Sequence, residues 1–463
     1  MILVVKRMAC GLLIMVLLFA LCSCKNRETQ VREVADFDPE EPVTICFDLD
    51  GNFDGRHYSL NDSHEFKFTG ASIREATVEK LIQDIKAQGG PENVTVEFIE
   101  GQGEEREGAL TRLRAELMAG DGPDVFLVSQ KQYTNSNLFK FVEKKMEESI
   151  FLPLDAYIEK AEFMDTSRMQ PSVLNGGKNS KGQQMIIPLR YTFPATIFPA
   201  AEVELDLSQS YSLENMIDGS NPVLTAALAS WWDEEGIFTD LSLAFGRKAN
   251  YKEETLTISQ DEFRDIVHLL LDFNIKIDEN NLGDIKKGKA ATDLWLYQLA
   301  LVNEKWRHQP VTFIPFFNHQ GGVTAKIRDF VAVNGNSKNP AGAFWLVDYI
   351  TAEEQFQSSG LHMYLNSHGL PIYDELMQEA TMLPYHKDNG AQKDPSNYIY
   401  FENQDWQALT SARDKIDSAD FPSELDVELD LLFYKLEGVK ETSEQEEIID
   451  DCYKNLMMLI GES

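Results

Sequence analysis

The sequence predicts an α/β fold in which mixed, mostly parallel sheets are flanked by helices and gathered into two lobes. Three observations lead there. Strand-length apolar runs alternate with stretches of helical period between Val43 and Val128, the pattern of a largely parallel sheet with covering helices. A chain of 463 residues is longer than one hydrophobic core serves, so it divides into lobes. After Arg190 the pattern turns mainly helical, and strands return at Val311–Phe316 and Ile327–Val333, so the chain leaves a first α/β lobe and later comes back to it.

Taken in order, residues 1–23 are a targeting segment and not fold. Lys6 and Arg7 precede the apolar run Met8–Leu21, which is short for a spanning helix of about 20 residues. Its ending, Leu21-Cys22-Ser23-Cys24, resembles the bacterial lipoprotein signal; that resemblance implies that Cys24 carries the lipid and becomes the first mature residue, although Cys22 is an uncommon choice in the motif. Residues 24–41 are polar, without apolar period, and read as a flexible tether. Val43–Phe47 is the first strand. Ser72 with Glu75 is a capping-box pattern opening a helix whose Val78, Leu81, Ile82 and Ile85 share one face, and Gly89-Gly90 ends it. Val94–Ile99 is a strand, Leu110, Leu113 and Leu117 mark a helix, and Val125–Val128 is a third strand. Met185–Leu189 reads as another. Ser259 with Glu262 is a second capping box, before a helix with Phe263, Ile266, Val267, Leu270 and Leu271 inside. Pro340 opens a helix to Ile350, and the acidic C-terminal stretch is helical, with Leu425, Leu429, Leu432 and Leu436 at helical spacing.

Composition narrows the function. The formal charge of -34 argues against a nucleic-acid or anionic-membrane surface and suits a solvated extracytoplasmic protein. Beyond the targeting segment and Cys24, only Cys46 and Cys452 remain as thiols, and a chain of this size needs no disulfide framework. The eight histidines are scattered, with no His-Glu-x-x-His and no paired cysteines, so no metal or other cofactor is expected. Asp48–Asp54 is acidic, but its glycine is misplaced for an EF-hand and the last loop position falls on Ser59.

Leu113–Ser129 carries a helix, the turn Gly120-Asp121-Gly122-Pro123-Asp124 and a buried strand; Gly120 ends the helix, Pro123 stops its continuation, and Asp124 can bond backbone amides. In that order the segment resembles the extracellular solute-binding proteins of ABC importers, in their carbohydrate-binding branch. Gly182–Pro188, Lys287-Gly288-Lys289-Ala290-Ala291 with Trp295, and Ser337-Lys338-Asn339-Pro340 followed by Thr351–Phe356 and Gly369-Leu370-Pro371 resemble further segments of that family. The resemblance implies the two-lobed periplasmic-binding-protein fold, with a first lobe over 42–190 and 318–375, a second over 191–317 and 376–463, and a ligand cleft at the hinge. It implies a monomer that captures a small ligand, a mono- or oligosaccharide, and delivers it to the membrane subunits of an ABC permease. The departure is at Ala195–Asp206, where the family's aromatic-Asn-Lys segment is replaced by Ile197-Phe198-Pro199-Ala200-Ala201-Glu202.

A sugar offers apolar ring faces and a rim of hydroxyls, so its site combines aromatic platforms with planar polar side chains at strand ends. Asp50, Asp54 and Arg56 follow the first strand, Ser129 and Gln130 the third, and Arg190 and Tyr191 the crossing strand. Trp295 is the stacking candidate that the resemblance supplies. Of the adjacent pair Trp231-Trp232, one packs inside and the other, taken as Trp232, projects; Trp406 lies in the tail that the family folds over the cleft. Plainer roles compete: Asp54 and Arg56 as a solvated surface pair, the tryptophans as core. Two other functions compete with transport. Ile45–Asn52 resembles the first motif of haloacid-dehalogenase-type phosphatases, where one aspartate attacks phosphorus; here the Gly120-Asp121 that would serve as their metal-binding motif follows a helix instead of a strand. The other is a surface sensor lipoprotein of the same fold.

Overall fold

Two uninterrupted buried strings, Val125–Ser129 and Ile186–Thr192, set the centre of the principal sheet, since strands covered on both faces carry no polar alternation. The structure, a computed structural model, describes residues 36–48, 57–60, 66–69, 72–99, 103–130, 137–232, 237–238, 240–280, 288–291, 309–358, 369–373 and 403–462. Chain contacts set residues 1–37 apart from 38–463, and the second unit is the subject below. The signal segment and Cys24, together with Asp50, Asp54, Arg56 and Trp295, lie outside the described residues.

The strands are β1 (Val43–Asp48), β2 (His57–Leu60), β3 (Phe66–Thr69), β4 (Val94–Phe98), β5 (Val125–Ser129), β6 (Ile186–Thr192), β7 (Ala195–Pro199), β8 (Ala249–Asn250), β9 (Thr255–Leu256), β10 (Lys289–Ala291), β11 (Val311–Pro315), β12 (Val323–Val333), β13 (Leu370–Pro371) and β14 (Ile416–Asp420). The helices are α1 (Ser72–Ala87), α2 (Gly103–Met118), α3 (Val142–Glu147), α4 (Asp155–Ile158), α5 (Pro171–Gly176), α6 (Leu213–Ile217), α7 (Pro222–Ala229), α8 (Gln260–Asn280), α9 (Pro340–Ile350), α10 (Glu353–Ser358), α11 (Asn403–Arg413), α12 (Glu424–Asp430), α13 (Leu432–Leu436) and α14 (Thr442–Glu462).

In the principal sheet the order is β13-β6-β12-β5-β1-β4, with β14 also beside β12. β4, β1 and β5 are parallel, as the strand-helix alternation predicts, and the returning β12 runs against both β5 and β6. The N-terminal half of β12 extends beyond β5 and takes β14 as a parallel neighbour, so residues 416–420 close this sheet. Helix α9 packs over β12, β5 and β1; its Pro340 occupies the first turn, and Asn339 Oδ1 accepts the Gly342 N–H at 2.9 Å.

A smaller sheet, β10-β7-β11, is antiparallel throughout, and the principal sheet is evenly mixed, with three parallel and three antiparallel pairings, so among the described residues the parallel pattern is confined to β4-β1-β5 and the β12-β14 pair. Ala195–Pro199, the segment that departs from the family pattern, is its central strand and is wholly buried. Gly288 explains part of the Lys-Gly-Lys-Ala-Ala motif: a Cβ there would stand 2.6 Å from the Ile197 carbonyl oxygen, so only glycine allows this approach to β7. Helices α7 and α11 pack on this sheet, and α8 lies against α14.

Local signals hold where the sequence was specific. On α2, Leu110, Leu113 and Leu117 are buried, and on α1 Leu81 and Ile85. Gly120 takes the left-handed φ of 80° just past the end of α2, and Asp124 closes the turn: its N–H donates to the Thr44 carbonyl, its Oδ2 accepts the Thr44 N–H at 2.8 Å, and Oδ1 accepts from Ser337 Oγ at 2.6 Å. Ser259 and Glu262 bond reciprocally at the start of α8. The tryptophan expectation needs correcting. Both Trp231 and Trp232 are buried, because they follow the last turn of α7, where adjacent residues are no longer forced onto opposite helix faces.

Candidate ligand site

β5 and β6 deliver their C-terminal ends to the same edge of the principal sheet, and β12 runs between them, so one cross-strand row contains Ser129, Asp329 and Arg190. All three are buried, with Asp329 closed to solvent. Ser129 Oγ donates to Asp329 Oδ1. The Arg190 guanidinium donates from Nη1 to the Gly369 carbonyl at 3.2 Å and stands 5.7 Å from the centre of the Phe356 ring. Burial pulls the Arg190 pKa down to about 10, and the charge of Asp329 opposes the fall, so the group is cationic at neutral pH.

Gln130 follows Ser129 at the end of β5. Its backbone N–H donates to the Arg328 carbonyl at 2.6 Å and its Nε2 to the Phe139 carbonyl at 2.8 Å, which leaves the buried Oε1 with no hydrogen-bond partner among the described residues. A buried acceptor without a donor costs about 1–3 kcal/mol. Tyr191, fully buried, follows Arg190 on β6 opposite Ile327 and Leu370. At the end of β1, Asp48 Oδ1 accepts from Arg106 Nη2 at 2.6 Å, a buried ion pair on the same sheet edge.

The structure therefore brings Ser129 and Arg190 together on either side of Asp329, with Gln130 and Tyr191 as the next residues along their chains. It places Trp232 and Trp406 in the packing around the smaller sheet: the Trp232 ring lies 4.5 Å from Phe238 and 5.2 Å from Phe273, and Trp406 is buried on α11, which packs on β11. Asp329 is the residue that sequence reasoning missed. Its signal was present, a carboxylate inside the apolar strand Val323–Val333, since a charge in a strand covered on both faces needs a partner.

A second charged group lies beside the crossing from β6 to β7. Lys248 Nζ is 2.9 Å from Asp420 Oδ2 and 3.0 Å from Asp426 Oδ1, and Lys326 Nζ is 2.8 Å from Asp420 Oδ1 and 2.9 Å from Asp426 Oδ1. Burial alone would raise the Asp426 pKa, but the two ammonium groups outweigh it and hold the carboxyl well below its ordinary range. Both lysines line a crevice with Pro194 and Phe316. Among the described residues no group of three or more His, Cys, Asp or Glu is arranged to hold a metal ion. The two aspartates that would serve a phosphatase are far apart in the sheet: Asp48 ends β1 beside Val128, whereas Asp121 lies in the turn before the other end of β5.

The sequence profile described as "Bacterial extracellular solute-binding protein" matches residues 70–355. No curated protein matches the sequence. Among solved structures, a family 1 extracellular solute-binding protein from Alicyclobacillus acidocaldarius subsp. acidocaldarius DSM 446 superposes with a TM-score of 0.54 at 15% identity, over 92% of this chain and 100% of that one. A periplasmic oligogalacturonide-binding protein from Yersinia enterocolitica gives 0.54 at 13% identity, over 91% and 99%. The bacterial solute receptor AcbH, described as having an exclusive preference for β-D-galactopyranose, gives 0.54 at 12%, over 91% and 99%. At such identities the superpositions establish a shared fold, and the profile match, spanning more than half of the sequence, establishes the family: the chain belongs to the bacterial extracellular solute-binding proteins of ABC transport.

Proposed function

We propose that this chain is a lipid-anchored receptor that captures a carbohydrate between two lobes, 42–190 with 318–375 and 191–317 with 376–463, and hands it to an ABC permease. The observation that supports the ligand assignment is the buried row Ser129–Asp329–Arg190 at one sheet edge, with the buried Gln130 Oε1, which has no hydrogen-bond partner among the described residues, next to it in the chain. Polyols match such a row because each hydroxyl both donates and accepts. The oligogalacturonide and galactopyranose named for two structural neighbours point to the same ligand class. Asp50, Asp54 and Arg56, which follow β1 in the sequence, complete the polar rim, and Trp295 supplies the stacking face. Cys24 carries the anchor after removal of residues 1–23, and tethering keeps the receptor concentrated near its transporter. Closure about β6 and β11 follows from ligand binding better to the closed state than to the open one, and no bond is made or broken in the process.

A thermal-shift screen of the soluble body, beginning near Glu40, against saccharides, polyols, amino acids and polyamines tests this reading. A saccharide at a hundred times its dissociation constant stabilises the fold by ~2.7 kcal/mol and raises the melting point, and Trp295→Ala removes the shift. Hydrolysis of a generic phosphate ester with magnesium, in the absence of any such shift, would overturn it.

A further inference from the structure

Helix α3 follows closely on the ligand row in the sequence, yet its side chains are held by segments more than a hundred residues away. Glu143 Oε1 accepts the Phe421 N–H at 3.2 Å. Lys144 Nζ donates to the Ile460 carbonyl at 3.1 Å, at the end of α14, and to Glu254 Oε1 at 3.2 Å. Lys140 Nζ pairs with Glu424 Oε1 at 2.8 Å, and the Phe141 ring lies 6.1 Å from that of Tyr251. One short helix thus clasps the turn between β14 and α12, the β8–β9 hairpin and the C-terminal helix. Glu143 is buried within this clasp, and its second oxygen, Oε2, has no hydrogen-bond partner among the described residues. Asp420 on β14, Arg247 before β8 and Tyr251 after it face the carboxyl, with Lys144 next to it on α3; Lys248, Lys326 and Asp426 surround Asp420.

We propose that α3 is a proton-operated latch: with the Glu143 carboxyl neutral the helix is seated against residues 420–424, and ionisation loosens that seat. Lys248 and Lys326 are already engaged by Asp420 and Asp426, and Lys144 by Glu254 and the Ile460 carbonyl, so a negative charge at Glu143 meets the like charge of Asp420 with Arg247 as the cation that opposes it. Burial first, and then the charge of Asp420, raise the Glu143 pKa from 4.5 to about 7. The folded chain therefore keeps a proton that the unfolded chain has lost above pH 4.5. Stability from this group falls as pH rises from that value and levels off once the folded group has ionised. The latch joins α3 to β14 and the turn after it, the β8–β9 hairpin and the end of α14, and these contacts do not depend on the lobe boundaries proposed above or on any ligand.

The test is hydrogen exchange of the ligand-free soluble body, followed in peptides spanning 138–147 and 419–426 at pH 5.5 and 8.5 and corrected for intrinsic rates. Protection in both peptides should drop about tenfold or more at the higher pH in the wild type and stay constant in Glu143→Gln. Asp430, whose pKa is also raised by burial and then by Asp240, is a second carboxyl of this region, so Asp430→Asn is the control and should keep the Glu143 response. An unchanged pH response in Glu143→Gln, or none in the wild type, overturns the proposal. Should Glu143→Gln fail to fold, infrared titration of wild-type protein labelled with 13C only on glutamate decides: a glutamic acid losing its proton near pH 7 supports the latch, and full ionisation of every glutamate below pH 6 excludes it.

Discussion

Asp329 sits between a hydroxyl and a guanidinium, and its energetic role follows from having no water to turn to. Its charge is the acceptor for Ser129 and the counter-charge beside the buried Arg190. Removing one partner of a buried pair strands the other, so Asp329→Ala should lower stability by about 3–5 kcal/mol in urea unfolding, whereas Asp329→Asn, which keeps the shape and one acceptor, should cost less. The two described thiols give a second prediction at this scale. Burial pushes the Cys452 thiol up to about 12 and raises Cys46 further, the latter aided by the charges of Asp48 and Glu97. Neither should alkylate in the native protein, and both should label at once in denaturant, which intact-mass measurement reads directly.

At the scale of elements, legibility tracked how local the determinant was. The α8 capping box, the proline-led α9 and the Gly120–Asp124 turn each depend on residues a few positions apart, and each stands where the sequence put it. Ser259→Ala should accordingly cost about 1 kcal/mol of stability by loss of the two bonds of the hydroxyl, which accepts the Glu262 N–H and donates to the Glu262 carboxylate. β7 and β14 were not legible. Ala195–Pro199 was read as part of a helical region, and Ile416-Asp417-Ser418-Ala419-Asp420 has too few β-branched or aromatic residues to announce a strand; its pairing with β12 and the burial of its acids against Lys248 and Lys326 decide the matter. The ligand row divides in the same way. The strand-end argument points to Ser129 and Arg190, which meet across β12, while Asp329 lies within a strand, two hundred residues from the serine it binds.

For the whole molecule, the sheet edge built by β1, β5, β6 and β12 is where receptor function would be executed, and the charged cluster of Lys248, Lys326, Asp420 and Asp426 fixes β12 and β14 beside it. Equilibrium titration of an oligosaccharide array on the wild-type soluble body and on Gln130→Ala tests the central claim most directly. The row predicts that a saccharide binds the wild type and that the variant, shown to be folded by its circular dichroism, binds it at least about tenfold more weakly, the loss of roughly one good hydrogen bond to a buried group. Binding of no saccharide at all, or binding that the variant leaves untouched, would contradict it.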